Sequence, residues 1–222
     1  MYRIEDMPKP VPTDEHDLFG RVETATVGHF RHFGFMHRSI QPLLPGKRIV
    51  GTATTIAIPG PDSTLLHHLL CLVRPGDVIV IDRLGDDRYA CLGGGVAVAA
   101  KAAGVAAAIV DGPCTDISEI READFPVWGR GLSSITTRAY ELGGAINIPV
   151  SCGGVVVNPG DAVLADESGA LVVPRDEIRA VAEEALARQA RGAARQAQLL
   201  AGGKLGELSG ASSKVVAKVE NR

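Results

Sequence analysis

Between residues 48 and 112 the chain alternates segments of strand character with segments of helix character, and the second helical segment is built almost entirely of small residues. The runs "RIVGTATTIAI" (48–58), "VIVIDRL" (78–84) and "AAAIVDG" (106–112) are apolar, strand-length and rich in β-branched residues. Between them lie "TLLHHLLCLV" (64–73) and the Ala-rich "VAVAAKAAG" (96–104). Strand and helix in alternation define an α/β domain. Aromatic residues make up only 4% of the 222 positions, against 45% apolar residues overall. Ala, Val, Leu, Ile and Gly must therefore build the core, which demands thin helices and closely approaching backbones. A chain of this length can bury such a core without disulfides or metals.

After residue 124 the period changes. "FPVWGRG", "AINIPVS", "GGVVVNPGD", "AVLADESG" and "ALVVP" are short β segments broken by Gly, Pro, Asn and Asp. "NPGD" (158–161) and "DESG" (166–169) have the composition of hairpin turns. Upstream, residues 1–12 carry three prolines and read as an extended arm. Thr13 is placed to cap a helix running from Asp14 to His32. Asp62 or Ser63 is placed to cap the helix at 64–73. Arg175 to Leu200 forms a long helix with an apolar stripe of Ile178, Val181, Ala182, Ala185 and Leu186, ended by Gly202 and Gly203. The organisation is an N-terminal arm (1–12), one α/β domain with mixed strands (13–174), and a C-terminal helix and tail (175–222).

The net charge of −3 gives no basic footprint for nucleic acid. No run of 18 apolar residues marks a membrane span. Cys71, Cys91, Cys114 and Cys152 are far apart and form no C-x-x-C pair, so a zinc site of ordinary spacing is not expected. Few cysteines and no apolar leader at the start lead to the expectation of a cytoplasmic protein.

Chemistry concentrates in two places. The run Gly93–Gly95 opens a helix, where small residues let an anion approach backbone N–H groups. The glycines do not directly follow a strand and Val98 stands where a dinucleotide fingerprint needs its third glycine. No phosphate-binding G-x-x-x-x-G-K-[ST] occurs either. The second place is "DGPCTDISE" (111–119), at a strand end just before a helical stretch. Asp116 and Glu119 stand three residues apart there, a spacing that by itself favours a capping box but is also enough for a hard cation, which needs only one or two carboxylates beside water and substrate. Cys114 is a nucleophile by residue type but resembles a small buried thiol more closely. His29, His32 and His37 could form a metal set or simply end a helix. His67 and His68 follow a turn, with one at most facing inward.

Taken together, "GGGVAVAAKAAGVAAAIVDGPCTDISE" and "PVSCGGVVVNPGDAVLADESGALVVP" resemble the RraA-like proteins over roughly residues 15 to 175. This family includes 4-hydroxy-4-methyl-2-oxoglutarate aldolases, oxaloacetate decarboxylases and the regulator of ribonuclease E activity A. The methyltransferase name that some members carry has no methyl-donor glycine motif behind it in this sequence. The resemblance implies a β/β/α sandwich with a mixed sheet, and a trimer or hexamer with sites between subunits. It also implies Mg²⁺ or Mn²⁺ on Asp116 with Glu119 acting through water, and a 2-oxo acid held at Gly93, Gly94, Gly95, Val96 and Thr115. The activity implied is metal-dependent retro-aldol cleavage or oxaloacetate decarboxylation, both releasing pyruvate. A non-catalytic regulator of a protein partner, or another reaction at the same metal site, remains as an alternative. The chain departs from the family at two positions. Thr115 replaces the arginine that grips the pyruvate carboxylate, and Gly94 replaces an acid in the glycine loop. A hydroxyl cannot make the bidentate, charge-assisted bond of a guanidinium, so either another arginine replaces it, with Arg88, Arg121 and Arg130 as candidates, or the substrate differs, or catalysis is lost.

Overall fold

The computed structural model describes residues 1–219. In chain order the elements are β1 (Tyr2–Ile4), α1 (Thr13–Phe19), α2 (Thr24–Val27), β2 (Gln41–Pro42), β3 (Ile49–Ala57), α3 (Thr64–Leu69), β4 (Asp77–Asp82), α4 (Gly94–Ala102), β5 (Ala107–Val110), α5 (Ile117–Glu122), β6 (Val127–Gly129), β7 (Gly144–Ile146), β8 (Val150–Cys152), β9 (Val155–Val157), β10 (Ala162–Asp166) and β11 (Gly169–Val173). A 3-10 turn at Arg175–Glu177 leads into α6 (Ile178–Leu200), followed by α7 (Leu205–Leu208) and α8 (Ala211–Val216). The expected strands of the α/β region all form.

Nine strands make one mixed sheet, and β8 pairs with β9 in a separate ribbon. Strands β3, β4, β5 and β6 lie side by side and parallel, in sequence order. Right-handed crossovers between strands in simple sequential order put every connecting helix on one face. Accordingly Ile79, Ile81, Ala108 and Val110 meet Leu65, Leu66, Leu69, Ala97, Ala100 and Ile120 from α3, α4 and α5. Small residues at Ala97 and Ala100 let α4 lie close to the sheet, as the scarcity of aromatics requires. The alternate residues Val78, Val80, Ala107 and Ile109 face the other way, into a core shared with Val150, Cys152 and Val157 of the ribbon. The other edge of β3 is divided: β10 pairs antiparallel with its first half and β7 with its end.

A third core joins α1, α2 and α6 to β10 and β11, where Ile178, Val181, Ala182 and Ala185 pack against Leu164, Leu171 and Val173. The expected apolar stripe of α6 is thus its buried face. No helix among the described residues is long and apolar enough to cross a membrane.

Three local expectations change. The helix expected from Asp14 to His32 is two short helices: α1 ends at its C-cap Gly20, and the backbone leaves the helical region at Glu23 (φ −97°, ψ 137°) before α2 begins. The new start at α2 is fixed from across the fold: the Asp166 carboxylate accepts the Thr24 N–H at 2.9 Å and its hydroxyl at 2.6 Å. Pro12 rather than Thr13 occupies the cap position of α1, with no side-chain cap bond. "DESG" is a hairpin turn between β10 and β11, whereas "NPGD" is not, because it joins β9 to β10 and these belong to different sheets. The arm is extended, and its residues 2–4 add an edge strand parallel to β7.

Asp62, 1% exposed, organises the turn before α3. Its carboxylate accepts the Thr64 N–H and hydroxyl (2.9 and 2.6 Å), the Tyr140 N–H (3.0 Å) and the Leu142 N–H (2.8 Å). Burial alone would raise its pKa, but these donors outweigh burial and hold it at about 2. A carboxyl depressed from 3.8 in the unfolded chain stabilises the fold above pH 4 and loses that contribution as the pH falls toward 2. The shift corresponds to roughly 2 kcal/mol. Denaturant titrations across pH 2–7 should therefore show stability falling below pH 4. Asp62→Asn should be less stable at pH 7 and flatter over the acid range.

Candidate active site at the carboxyl ends of the parallel strands

Because β3 to β6 run parallel, the loops that leave their carboxyl ends gather at one edge of the sheet, the place where α/β proteins bind ligands. The loops continue to pair beyond the strands. Leu92 bridges Cys114, and the segment after β6 then crosses the other loops in turn: Leu132 bridges Cys114, Thr136 bridges Ala90 and Arg138 bridges Asp62. These contacts enclose an open cavity of about 430 Å³. Ser63, His67, Cys91, Gly93, Gly95, Val96, Thr115, Asp116, Thr136, Thr137 and Arg138 contribute to its wall. A second, adjoining cavity of about 370 Å³ shares Thr115 and Asp116 and adds Glu119 and Ser133.

The glycine run and the acidic pair form one structure. Gly93 is the N-cap of α4. A Cβ on Gly93 would collide with the Asp116 carboxylate and lie 2.8 Å from Thr115 Cγ2. A Cβ on Gly94 would overlap the Glu119 carboxylate and lie 2.5 Å from Glu119 Cβ. The glycines therefore provide the space that both acids occupy, and Gly94 matches the family departure noted above for this steric reason. Asp116 Oδ2 accepts the Gly94 N–H at 3.3 Å and Oδ1 accepts the Thr115 hydroxyl at 3.2 Å.

The capping reading of Asp116 needs correction. Asp116 stands at the N-cap of α5 but is left-handed (φ 51°, ψ 43°) and makes no side-chain cap bond to that helix. Its carboxylate serves the first turn of α4 instead. Both carboxylates remain exposed, open to a cation and to water.

Other candidates separate from this centre. Cys114 is fully buried, and burial pushes its thiol well above the ordinary range, which removes the thiolate a nucleophile needs. His29, His32 and His37 do not converge, since no group of three or more His, Cys, Asp or Glu among the described residues could hold a metal. His67 and His68 are both exposed, and His67 reaches the cavity wall. Of the three arginines offered in place of Thr115, none lines the cavity. Arg130 is paired with Asp111 and Ser39, Arg88 lies 5.5 Å over the Tyr89 ring, and Arg121 is in the last turn of α5. Arg138 does line it. Its separation of 22 residues from Asp116 carried no local pattern, and only the crossing of the 131–138 segment brings it to the site.

Behind the wall, Arg83 is fully buried. Its Nη2 donates to the Gly60 carbonyl, to the Tyr89 carbonyl at 3.3 Å and to Asp86 at 3.4 Å. It thereby joins the turn after β3 to the loop that leads into the glycines.

The site belongs to a definable class: a solvent-open cleft bearing adjacent carboxylates and a helix N-terminus, at the strand ends of a mixed α/β domain. The family model described as RraA-like, Aldolase/RraA, matches residues 13–172, and the chain belongs to that family. It is 35% identical over 158 residues to a Halalkalibacterium halodurans protein named "Putative 4-hydroxy-4-methyl-2-oxoglutarate aldolase", covering 71% of this chain and 75% of the relative. It is 33% identical over 128 residues to the 4-hydroxy-4-methyl-2-oxoglutarate aldolase of Thermus thermophilus, covering 57% of this chain and 76% of that one. Among solved structures, a Streptomyces coelicolor protein described as an unusual member of the RNase ES inhibitor RraA protein family superposes with a TM-score of 0.74 at 29% identity. That match covers 86% of this chain and 98% of the other. The mixed sheet and long C-terminal helix expected from the sequence match such structures.

The two neighbouring glycines separate steric need from helix propensity. Gly94→Ala should destabilise the protein by about 1–3 kcal/mol through overpacking on Glu119. Gly95 has no neighbour within 4 Å of an added Cβ, so Gly95→Ala should stabilise it by about 0.5–1 kcal/mol. Urea unfolding of both variants measures the contrast.

Proposed function

We propose that this chain is a divalent-metal-dependent carbon–carbon lyase acting on 2-oxo acids. The reaction is retro-aldol cleavage of a 4-hydroxy-2-oxo acid, decarboxylation of oxaloacetate, or both, and it releases pyruvate. The observation that carries this reading is the convergence of the Asp116 carboxylate and the first turn of α4 on one cavity. The names of the relatives as aldolases support the lyase class.

Mg²⁺ or Mn²⁺ fits the donor set. Hard cations take oxygen ligands and are commonly bound by one or two carboxylates together with water and substrate. Asp116 would hold the ion, with Glu119 beside it, and the glycine cradle fixes both acids against α4. When bound, such an ion acts as a Lewis acid toward the keto oxygen of the substrate. The N-terminus of α4 contributes a partial positive charge where Gly95 and Val96 line the cavity, suited to negative charge developing on that oxygen. In the retro-aldol the 4-hydroxyl gives up its proton to water as its carbon becomes a carbonyl, the C–C electron pair passes to the pyruvate unit as an enolate, and the enolate then takes up a proton from water. In decarboxylation the departing carboxylate leaves as carbon dioxide and the enolate is protonated in the same way. The same enolate arises whether an aldehyde or ketone departs or carbon dioxide does, so one site serves both reactions.

A non-catalytic regulator is the second reading, favoured by the likeness to the RNase ES inhibitor family structure. Asp116→Asn separates the two. Mn²⁺ titration should show binding to the wild-type protein and at least a tenfold loss in the variant, with the melting midpoint of the metal-free protein retained. Pyruvate release from oxaloacetate or a 4-hydroxy-2-oxo acid should disappear with it. Equal Mn²⁺ affinity in both forms would remove Asp116 as ligand. Absence of pyruvate release from wild-type protein with metal present would leave the regulator in place.

The proposal extends to assembly. Val98, Leu132, Ile135, Tyr140 and Leu142 are exposed, on α4 and on the 132–142 segment that frames the cavity. Such side chains would be covered if this face were an interface between subunits. A closed trimer, or a hexamer built from trimers, would cover it and place the site between subunits. Light scattering should report three or six subunits, and a monomer would defeat the shared-site arrangement.

A further inference from the structure

We propose that Arg138 is the carboxylate clamp of this site, gripping the substrate carboxylate that Thr115 cannot. The inference rests on the 2-oxo acid reading above and names the residue that would select for it.

Four observations support it. First, Arg138 lines the same 430 Å³ cavity as Thr115, Asp116, Gly93 and Gly95, and among the described residues it is the only arginine or lysine in that wall. Second, its backbone is held on both sides. The Arg138 N–H donates to the Pro61 carbonyl at 2.9 Å, and its carbonyl accepts the Ser63 N–H at 2.9 Å. Asp62 then anchors the residues that follow, through Tyr140 and Leu142. The mounting is rigid although the segment has no regular secondary structure. Third, the guanidinium takes part in no ion pair among the described residues, and the side chain is exposed. Arg130, by contrast, is already engaged by Asp111. Fourth, the charges require it. Asp116 and Glu119 bring two negative charges, and a divalent ion balances those alone. An incoming carboxylate then needs a cation of its own. A planar guanidinium supplies one with the paired donors that match a carboxylate.

The cation thus comes from the segment that crosses the loops and not from the strand end, where the family places it beside the metal acid. The threonine at position 115 donates to Asp116 instead of to substrate.

Oxalate, a non-cleavable dicarboxylate resembling the enolate of pyruvate, probes the clamp without turnover. Calorimetric titration with oxalate at saturating Mn²⁺ compares wild type, Arg138→Lys, Arg138→Gln and the control Arg88→Gln, with Mn²⁺ affinity and melting midpoint measured for each. Expected for Arg138→Gln is unchanged Mn²⁺ affinity and metal-free melting midpoint, with oxalate affinity lowered on the order of ten- to a hundred-fold. Arg138→Lys should fall between, because an ammonium keeps the charge but not the fork. Arg88→Gln should bind as wild type. In turnover, Arg138→Gln should raise KM more than it lowers kcat, as expected for a contact made equally in ground and transition states. Oxalate binding by Arg138→Gln as tight as wild type would overturn the clamp, even if wild type releases pyruvate. Mn²⁺ binding with no oxalate binding in wild type would overturn the clamp and the 2-oxo acid reading together.

Discussion

The carboxylates of Asp116 and Glu119 lie in space that only glycine leaves vacant at the start of α4, and the site is built outward from that contact. Any side chain at Gly93 or Gly94 would push the acids out. Because the acids belong to the loop after β5 and to α5, the same contact sets how α5 meets α4. It also brings negative charge to a helix N-terminus, where the dipole favours it. The acids are thereby held without being buried, and their outer oxygens stay accessible. A pair fixed by packing and still wet is suited to a hard cation, which binds with part of its water shell in place.

The second constraint is strand order. Four neighbouring parallel strands deliver four loops to one edge, and a chain returning across them converts separate loops into a wall. Each crossing uses backbone pairing, at Leu132, Thr136 and Arg138, so the wall continues the sheet in hydrogen-bonding terms. Buried charges reinforce it at two points. Asp62 is satisfied by backbone N–H groups and the Thr64 hydroxyl and stays ionised well into acid. Arg83 connects the turn after β3 to the loop before the glycines, with Nε and Nη1 left without partners among the described residues. A buried group satisfied in full and one satisfied in part thus support the same rim.

The cysteines show how the interior shapes what the site can do. Cys91 is a buried part of the cavity wall, and Cys114 is fully buried. Burial raises the first to about 11 and the second well beyond its ordinary value. Thiolate chemistry is suppressed where carboxylate chemistry is exposed. The division follows from exposure: the carboxylates are open to solvent and the thiols are buried.

The sequence by itself determined the α/β class, the strands at 48–58, 78–84 and 106–112, the apolar stripe of α6 and the two motifs at 93–96 and 115–119. These are local properties: periodicity, β-branching and turn residues act within a few residues of one another. Only the tertiary structure decided that Asp116 serves α4 rather than α5, since that bond spans 22 residues and no spacing rule reports it. It also decided that the helix expected at 14–32 divides at Gly20, because Asp166, from a distant hairpin, holds the new start. Arg138 reached the site by the same kind of long-range pairing, with Asp62 and its neighbours as the anchor, whereas Arg88, Arg121 and Arg130 do not line the cavity. Local rules fix which elements form; which side chains share a cavity depends on how the chain returns across the sheet.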